Sequence, residues 1–386
     1  MMPIPSGHAP RSGRRLAAAG IGLAALAVPL WAIGMTRWQP LTEPVGPWSE
    51  RLPEASTYWA RDLRFLALMA VACGLVLAGA GRRQWLTPAV LLGGGVLAAD
   101  IAVDRADLTG PGATVSLVAA GWLAVGVTAL LAVRRDGATG VDGPHRRTAG
   151  AGAVGAAGPD RTVPWVGPHR TGGRDRAVLA GVAAVAAVLA LTAVLTRSPT
   201  GREPALDPAA LVTALLLLAV TVAGAAAAAP ARGRRRLAAA VGLAVTGGIG
   251  LPLVRLVGPA GRPVPVALLG AVLLLGVTLL TRPALPANRY AVLVPVVLLA
   301  PPALWHVALL VSGVLSPGAP LTVLAGNSPV GGGGPDVLPA LAGLVAGLGT
   351  ALVLARAAGV PGRPGHRPAP SAGGSARPAS AERRYP

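Results

Sequence analysis

Residues 86–107, LTPAVLLGGGVLAADIAVDRAD, decide the fold. A bilayer's apolar core needs about 20 residues of helix, and this run supplies them. Yet it carries Asp100 and Asp104, four residues apart and therefore on one helical face. Charge inside lipid is costly, so that face must turn toward protein partners or water.

Similar apolar runs lie on both sides, at 16–36, 63–81, 113–133, 177–196, 208–229, 237–257, 264–281, 290–315 and 337–355. They are continuous and do not alternate, which predicts spanning helices and rejects a β-barrel. With residues 86–105 they make ten crossings. The expected fold class is all-α: a polytopic integral membrane protein with both termini on one side. A chain of 386 residues that is 53% hydrophobic fits that class.

The net charge is +19, and every one of the 34 basic residues is arginine. Together with 53 Gly and 38 Pro, this has the look of a GC-rich genome, and no arginine-specific chemistry is read into it. Basic charge of this size would suggest nucleic acid in a soluble chain. Here it follows the topology. Segments assigned inside hold 25 of the arginines and segments assigned outside hold nine. That bias places both termini in the cytoplasm of a bacterial plasma membrane. The expected partner is the lipid bilayer, with separate subunits or a homo-oligomer left open and no nucleic acid.

The chain divides into a cytoplasmic N-terminus at 1–15, helices 1–4 at 16–133, a linker at 134–176, helices 5–10 at 177–355 and a tail at 356–386. Residues 16–36 read as a retained signal-anchor helix, since no small-residue cleavage site follows. The linker and tail are rich in Gly, Pro and Arg with no apolar period, and are expected to be disordered. Outer loop 37–62 holds Trp38, Trp48, Tyr58 and Trp59, a third of the aromatic residues, and reads as an interfacial belt. The outer loop 316–336, with its GGGG run, reads as a flexible connector. Gly93-Gly94-Gly95, Gly247-Gly248 and the Gly343/Gly347 pair are candidate close-packing points. Two halves of five helices would suit an inverted repeat, but no sequence echo joins them.

Polar residues inside the crossings carry the candidate site. Counted at about 1.5 Å per residue, Asp100 lies about 21 Å from the inner end of helix 3 and Asp104 about 27 Å. Arg255 lies about 27 Å along helix 7 and His306 about 22 Å along helix 9. All four therefore share the outer part of the membrane, and Arg255 is the nominated counter-charge for Asp100. They are the candidate substrate- or proton-binding residues. Pro252 in helix 7 and Pro295, Pro301 and Pro302 in helix 9 free backbone carbonyls, as in the broken helices of transporters. A lone buried charge pair is also a common structural device, and that reading carries at least equal weight. No catalytic residue is assigned. No cofactor or metal is expected: Cys73 is the single cysteine, and the five histidines have no paired-ligand spacing.

Two resemblances bear on function. Gly74, Gly81, Arg82 and Arg83 of GLVLAGAGRR resemble the loop signature of the major facilitator transporters. Ala78 stands where that family carries an acid, and ten crossings stand where it usually has twelve. The acids of loop 37–62 (Glu43, Glu50, Glu54 and Asp62) are similar in placement to the catalytic acids of multi-helix glycosyltransferases that use lipid-linked sugars. The sequence is assigned to neither family. Its leading expectation is a permease or transporter-like component with a polar site in the outer half of the membrane. The alternatives are a structural or assembly component without turnover, and a membrane enzyme on a lipid-linked substrate.

Overall fold

A computed structural model describes residues 11–42, 58–138, 173–196, 206–230, 233–282, 287–315, 320, 323–324 and 338–359. Ten long helices occupy them: α1 Arg11–Ile33, α2 Tyr58–Ala78, α3 Arg83–Arg105, α4 Gly110–Ala138, α5 Gly173–Leu195, α6 Leu206–Ala228, α7 Arg234–Leu256, α8 Pro263–Thr281, α9 Ala287–Leu315 and α10 Leu338–Gly359. The chain is a polytopic all-α membrane protein. Among the described residues nine helices are long and apolar enough to cross a bilayer. The tenth, α2, departs from that pattern because Arg61, Asp62 and Arg64 sit in its first two turns.

Loop 37–62 is shorter than its sequence suggests. α1 passes without a break through a π turn at Gly34–Trp38 and a last helical turn at Gln39–Thr42, and α2 begins at Tyr58. Trp38, Tyr58 and Trp59 thus lie on helices, while Trp48, Glu43, Glu50 and Glu54 lie outside the described residues. Most of the linker and the tail also lies outside them.

The helices alternate in direction, and contacts at both ends of the bundle show it. At one end Leu16 of α1, Leu77 of α2, Leu179 of α5 and Ala228 of α6 pack together. At the other, Leu63 of α2 meets Ala209 and Ala210 of α6 and Trp38 after α1. α1 and α2 run side by side over most of their length. Their axes approach closely because Gly20 faces Gly74: a Cβ on Gly20 would strike the Gly74 carbonyl and the Ala78 backbone. Gly343 and Gly347 seat α10 on Thr192 and Val185 of α5 in the same way. By contrast, Gly93, Gly94 and Gly95 face open space, so they do not bring α3 close to a neighbour among the described residues.

The core lies around α2, α5 and α6; α3 and α4 are peripheral, with few buried positions. Two polar clips hold α4 against α1. Pro29 has no N–H, so the Ala25 carbonyl one turn earlier lacks its helical donor. The Trp122 indole N–H of α4 donates to that carbonyl at 2.9 Å. Near the far end the hydroxyls of Thr36 and Thr114 lie 2.6 Å apart.

Residues 79–82, within the transporter-like GLVLAGAGRR run, form the C-cap of α2. The Gly81 N–H donates to the Val76 carbonyl at 3.2 Å and the Ala80 N–H to Leu77 at 2.9 Å. This is the Schellman pattern, and it needs a left-handed residue at Ala80, whose φ is 53°. The same helix ending accounts for Gly81, whose φ is 74°.

Candidate functional site

The polar site lies where the C-terminal end of α1 meets α2 and α3. Arg61 and Arg64 are three residues apart on α2; Asp100 and Asp104 are four apart on α3. Each pair shares a helical face. The helices run antiparallel with these faces opposed. One guanidinium nitrogen of Arg64, Nη2, donates to Asp100 Oδ2 and to Asp104 Oδ2, both at 3.2 Å. Arg61 Nε donates to Asp104 Oδ2 at 3.2 Å. Two cations thus face two anions, and none of the four residues is more than 5% exposed.

α1 completes the shell. Its π turn is wider than an α turn, which helps keep Trp31, Met35 and Gln39, spaced by four, on one stripe toward the charges. Trp31 Nε1 donates to Asp100 Oδ1 at 2.7 Å, and Gln39 Nε2 donates to Asp104 Oδ1 at 3.1 Å. Arg64 Nη1 donates to Gln39 Oε1 and to the Met35 sulfur. Gly34 makes room for the arginine: a Cβ there would lie 2.6 Å from Arg64 Cγ. A shallow groove lined by Met35, Gln39, Pro40, Val103, Asp104, Asp107 and Leu108 reaches Asp104, with room for about one water.

The other two nominated residues stand elsewhere. Arg255 of α7 donates through Nη1 to the Thr196 carbonyl at 3.0 Å and reaches that of Val194 at 3.5 Å. It caps the C-terminus of α5, where free carbonyls and the negative end of the helix dipole favour a cation. Arg262 does the same for α7, donating to Val257 O at 2.8 Å and Arg255 O at 3.3 Å. The counter-charge to Asp100 is therefore Arg64, and the nomination of Arg255 is corrected. It lies on a helix that makes no substantial contact with α3. His306 is exposed on α9; its Nδ1 lies 2.7 Å from the Pro302 carbonyl, and its ring stands edge-on to Trp305. The structure joins Asp100 with Asp104 and separates both from Arg255 and His306.

Sequence reasoning passed over Arg61, Arg64, Trp31 and Gln39. The signal was present: two arginines three apart, beside a helix with two aspartates four apart, form a complementary set. Asp62, read from the sequence as an acid of a wet loop, is 2% exposed. Its Oδ1 accepts the backbone N–H of Ala340 at 3.1 Å, in the first turn of α10. Helix N-termini carry unpaired N–H groups, and a carboxylate from another helix supplies the acceptor. Arg105 Nη1 of α3 reaches the carbonyl of Leu324, in the α9–α10 connection, at 3.4 Å.

Among the described residues no group of three or more His, Cys, Asp or Glu is placed to hold a metal. No protein-family model matches the chain, and neither a curated protein nor a solved structure resembles it significantly.

Proposed function

We propose that this multi-pass membrane protein is a structural or assembly component, in which the Arg61–Arg64–Asp100–Asp104 cluster locks the first three helices and performs no turnover. The observation that carries this reading is the internal charge balance of the cluster. Among the described residues two guanidiniums face two carboxylates at nearly zero exposure, so these four groups offer no excess charge to recruit an ion or charged substrate. Ionic groups in a membrane interior pair in this way when they fix helix register.

The enzyme reading gains no support from Asp62. Its carboxylate is buried and engaged with α10, which is not the posture of a general base awaiting a lipid-linked substrate.

A permease reading is kept for one specific observation. Arg64 Nε is buried with no hydrogen-bond partner among the described residues, and the groove at Asp104 has room for about one water. A hydrated carboxylate–guanidinium chain of this kind is what proton-coupled transport would use. The kinked α9 and the π turn beside the cluster would then be the moving parts.

Complementation of a deletion strain by the charge-conserving double variant Arg64→Met/Asp100→Asn separates the two readings. A structural lock predicts a folded, membrane-inserted protein that complements like wild type. A permease predicts equal protein level and fold with lost complementation.

A further inference from the structure

The end of the bundle opposite the ion cluster holds a second feature. A slot lies between α5, α8 and α10, lined by Ala177, Ala180, Gly181, Thr278, Thr281 and Arg282 among others. α5 forms its floor, and α8 and α10 each pack on α5 more than on one another. The floor is open because its residues are small: a Cβ on Gly181 would meet only the Ala351 methyl, at 4.0 Å. Both threonine hydroxyls donate back to their own helix, to Leu274 O from Thr278 and to Val277 O from Thr281, so they turn no free donor into the slot. Below, Ala184, Val188, Leu274 and Ala346 close it with an apolar plug.

Arg282 stands at the mouth. It follows the last residue of α8 and lies outside the spanning segment. Its backbone is engaged at both ends, by Thr278 and by the Tyr290 hydroxyl. Its guanidinium has no hydrogen-bond or ion-pair partner among the described residues. Burial lowers its pKa from the usual value, as expected of a cation without a counter-charge. Arg174 in the first turn of α5 and Arg356 in the last turn of α10 add positive charge at the same end. The arginine bias assigns this end to the cytoplasm, where bilayers present anionic headgroups.

We infer that the slot with Arg282 is a binding site for an anionic phospholipid, the phosphodiester on the guanidinium and an apolar chain segment against the alanine floor. The fit is one of charge and surface. A partly buried, unpartnered cation takes a phosphate oxyanion well, since guanidinium and phosphate pair in bidentate fashion. The apolar lining, unlike a phosphate cradle, offers no further donors, so it suits a hydrocarbon and not a free anion. This inference does not depend on what the ion cluster does.

The test uses the full-length protein reconstituted into phosphatidylcholine vesicles with a minority of phosphatidylglycerol, then released in mild detergent for native mass spectrometry. Wild type is expected to retain phosphatidylglycerol in preference to phosphatidylcholine. Arg282→Gln is expected to lower that preference about fivefold, the weight of one arginine at a membrane surface. Arg282→Lys, which keeps the charge, is expected to hold most of it, and Gly181→Leu, which fills the floor, to lose it with Arg282 intact. Wild-type retention in Arg282→Gln overturns the inference. So does an equal loss in Arg356→Gln, which would show general surface attraction, and so does full competition by glycerol phosphate, which would make the ligand a free phosphate.

Discussion

Removing Arg64 is the sharpest perturbation of this structure. Its side chain is fully buried and faces Asp100 and Asp104 at 3.2 Å each. At that distance, with an effective dielectric near 20, each contact is about 5 kcal/mol of attraction. Desolvation of the guanidinium and carboxylates takes back several kcal/mol per ion. The net worth of the arginine is therefore small, but its removal is not. In Arg64→Met, Asp100 would keep only the Trp31 indole as a donor and would sit as an unbalanced charge at 1% exposure. Breaking a buried pair from one side costs about 3–5 kcal/mol.

The double variant Arg64→Met/Asp100→Asn restores the balance, because Arg61 still faces Asp104. Replacing a buried pair by neutral groups of similar size is often close to neutral. The two changes should thus be strongly coupled, with the double variant recovering at least about 2 kcal/mol relative to the sum of the singles. The assay is unfolding of purified protein in mixed micelles of mild and denaturing detergent, followed by circular dichroism. A cost below about 1 kcal/mol for Arg64→Met, typical of exposed pairs, would refute the reasoning, and so would strict additivity.

Further outcomes follow from particular contacts. Asp62→Ala should cost about 1 kcal/mol and speed hydrogen exchange in the first turn of α10, while Asp62→Asn, which keeps an acceptor, should restore most protection. Gly20→Leu should separate α1 from α2, because its side chain has no room beside Ala78, and should lower the yield of monodisperse protein; Gly93→Ala meets open space and should stabilise by up to about 1 kcal/mol through helix propensity. Trp122→Phe should cost about 1 kcal/mol by leaving the Ala25 carbonyl without a donor, and the loss should be smaller in a Pro29→Ala background, where the helix regains its own N–H. Ala80→Gly should stabilise by about 1 kcal/mol, since φ at that position is 53°. Detergent unfolding midpoints read the last three.

How much of this was legible depends on what each residue announces by itself. The helices were legible because an apolar run of membrane length has one economical solution in lipid. Asp100 and Asp104 were legible because a carboxylate stands out in such a run. Arg61 and Arg64 were not, because they lie where an apolar run begins and a charge is unremarkable, and for the same reason Asp62 was read as an acid of a wet loop. Only the structure shows that α2 is sunk among α1, α3, α6 and α10 at that level, so that Arg61, Asp62 and Arg64 are interior. The π turn was illegible as well: GMTRW has nothing that sets it apart from an ordinary helical turn.

The placing of Arg255 shows a more general limit. Counting residues along a helix gives depth, because the rise per residue is fixed. It does not give the position around the bundle, which depends on which helices are neighbours. In a bundle of alternating helices every second connection lies at one end, so any polar residue near those tips has the same depth as the rest. Agreement in depth among Asp100, Asp104, Arg255 and His306 was therefore nearly guaranteed by topology and carried little information about contact. Complementarity of spacing is more discriminating, because it must be matched by a particular partner face. Asp100 and Asp104 demand cations about one helical turn apart, and on α2 only Arg61 and Arg64 offer them. Arg255, alone of its kind in its apolar run, matches instead the need of a helix end for a single cation, and it stands at the end of α5.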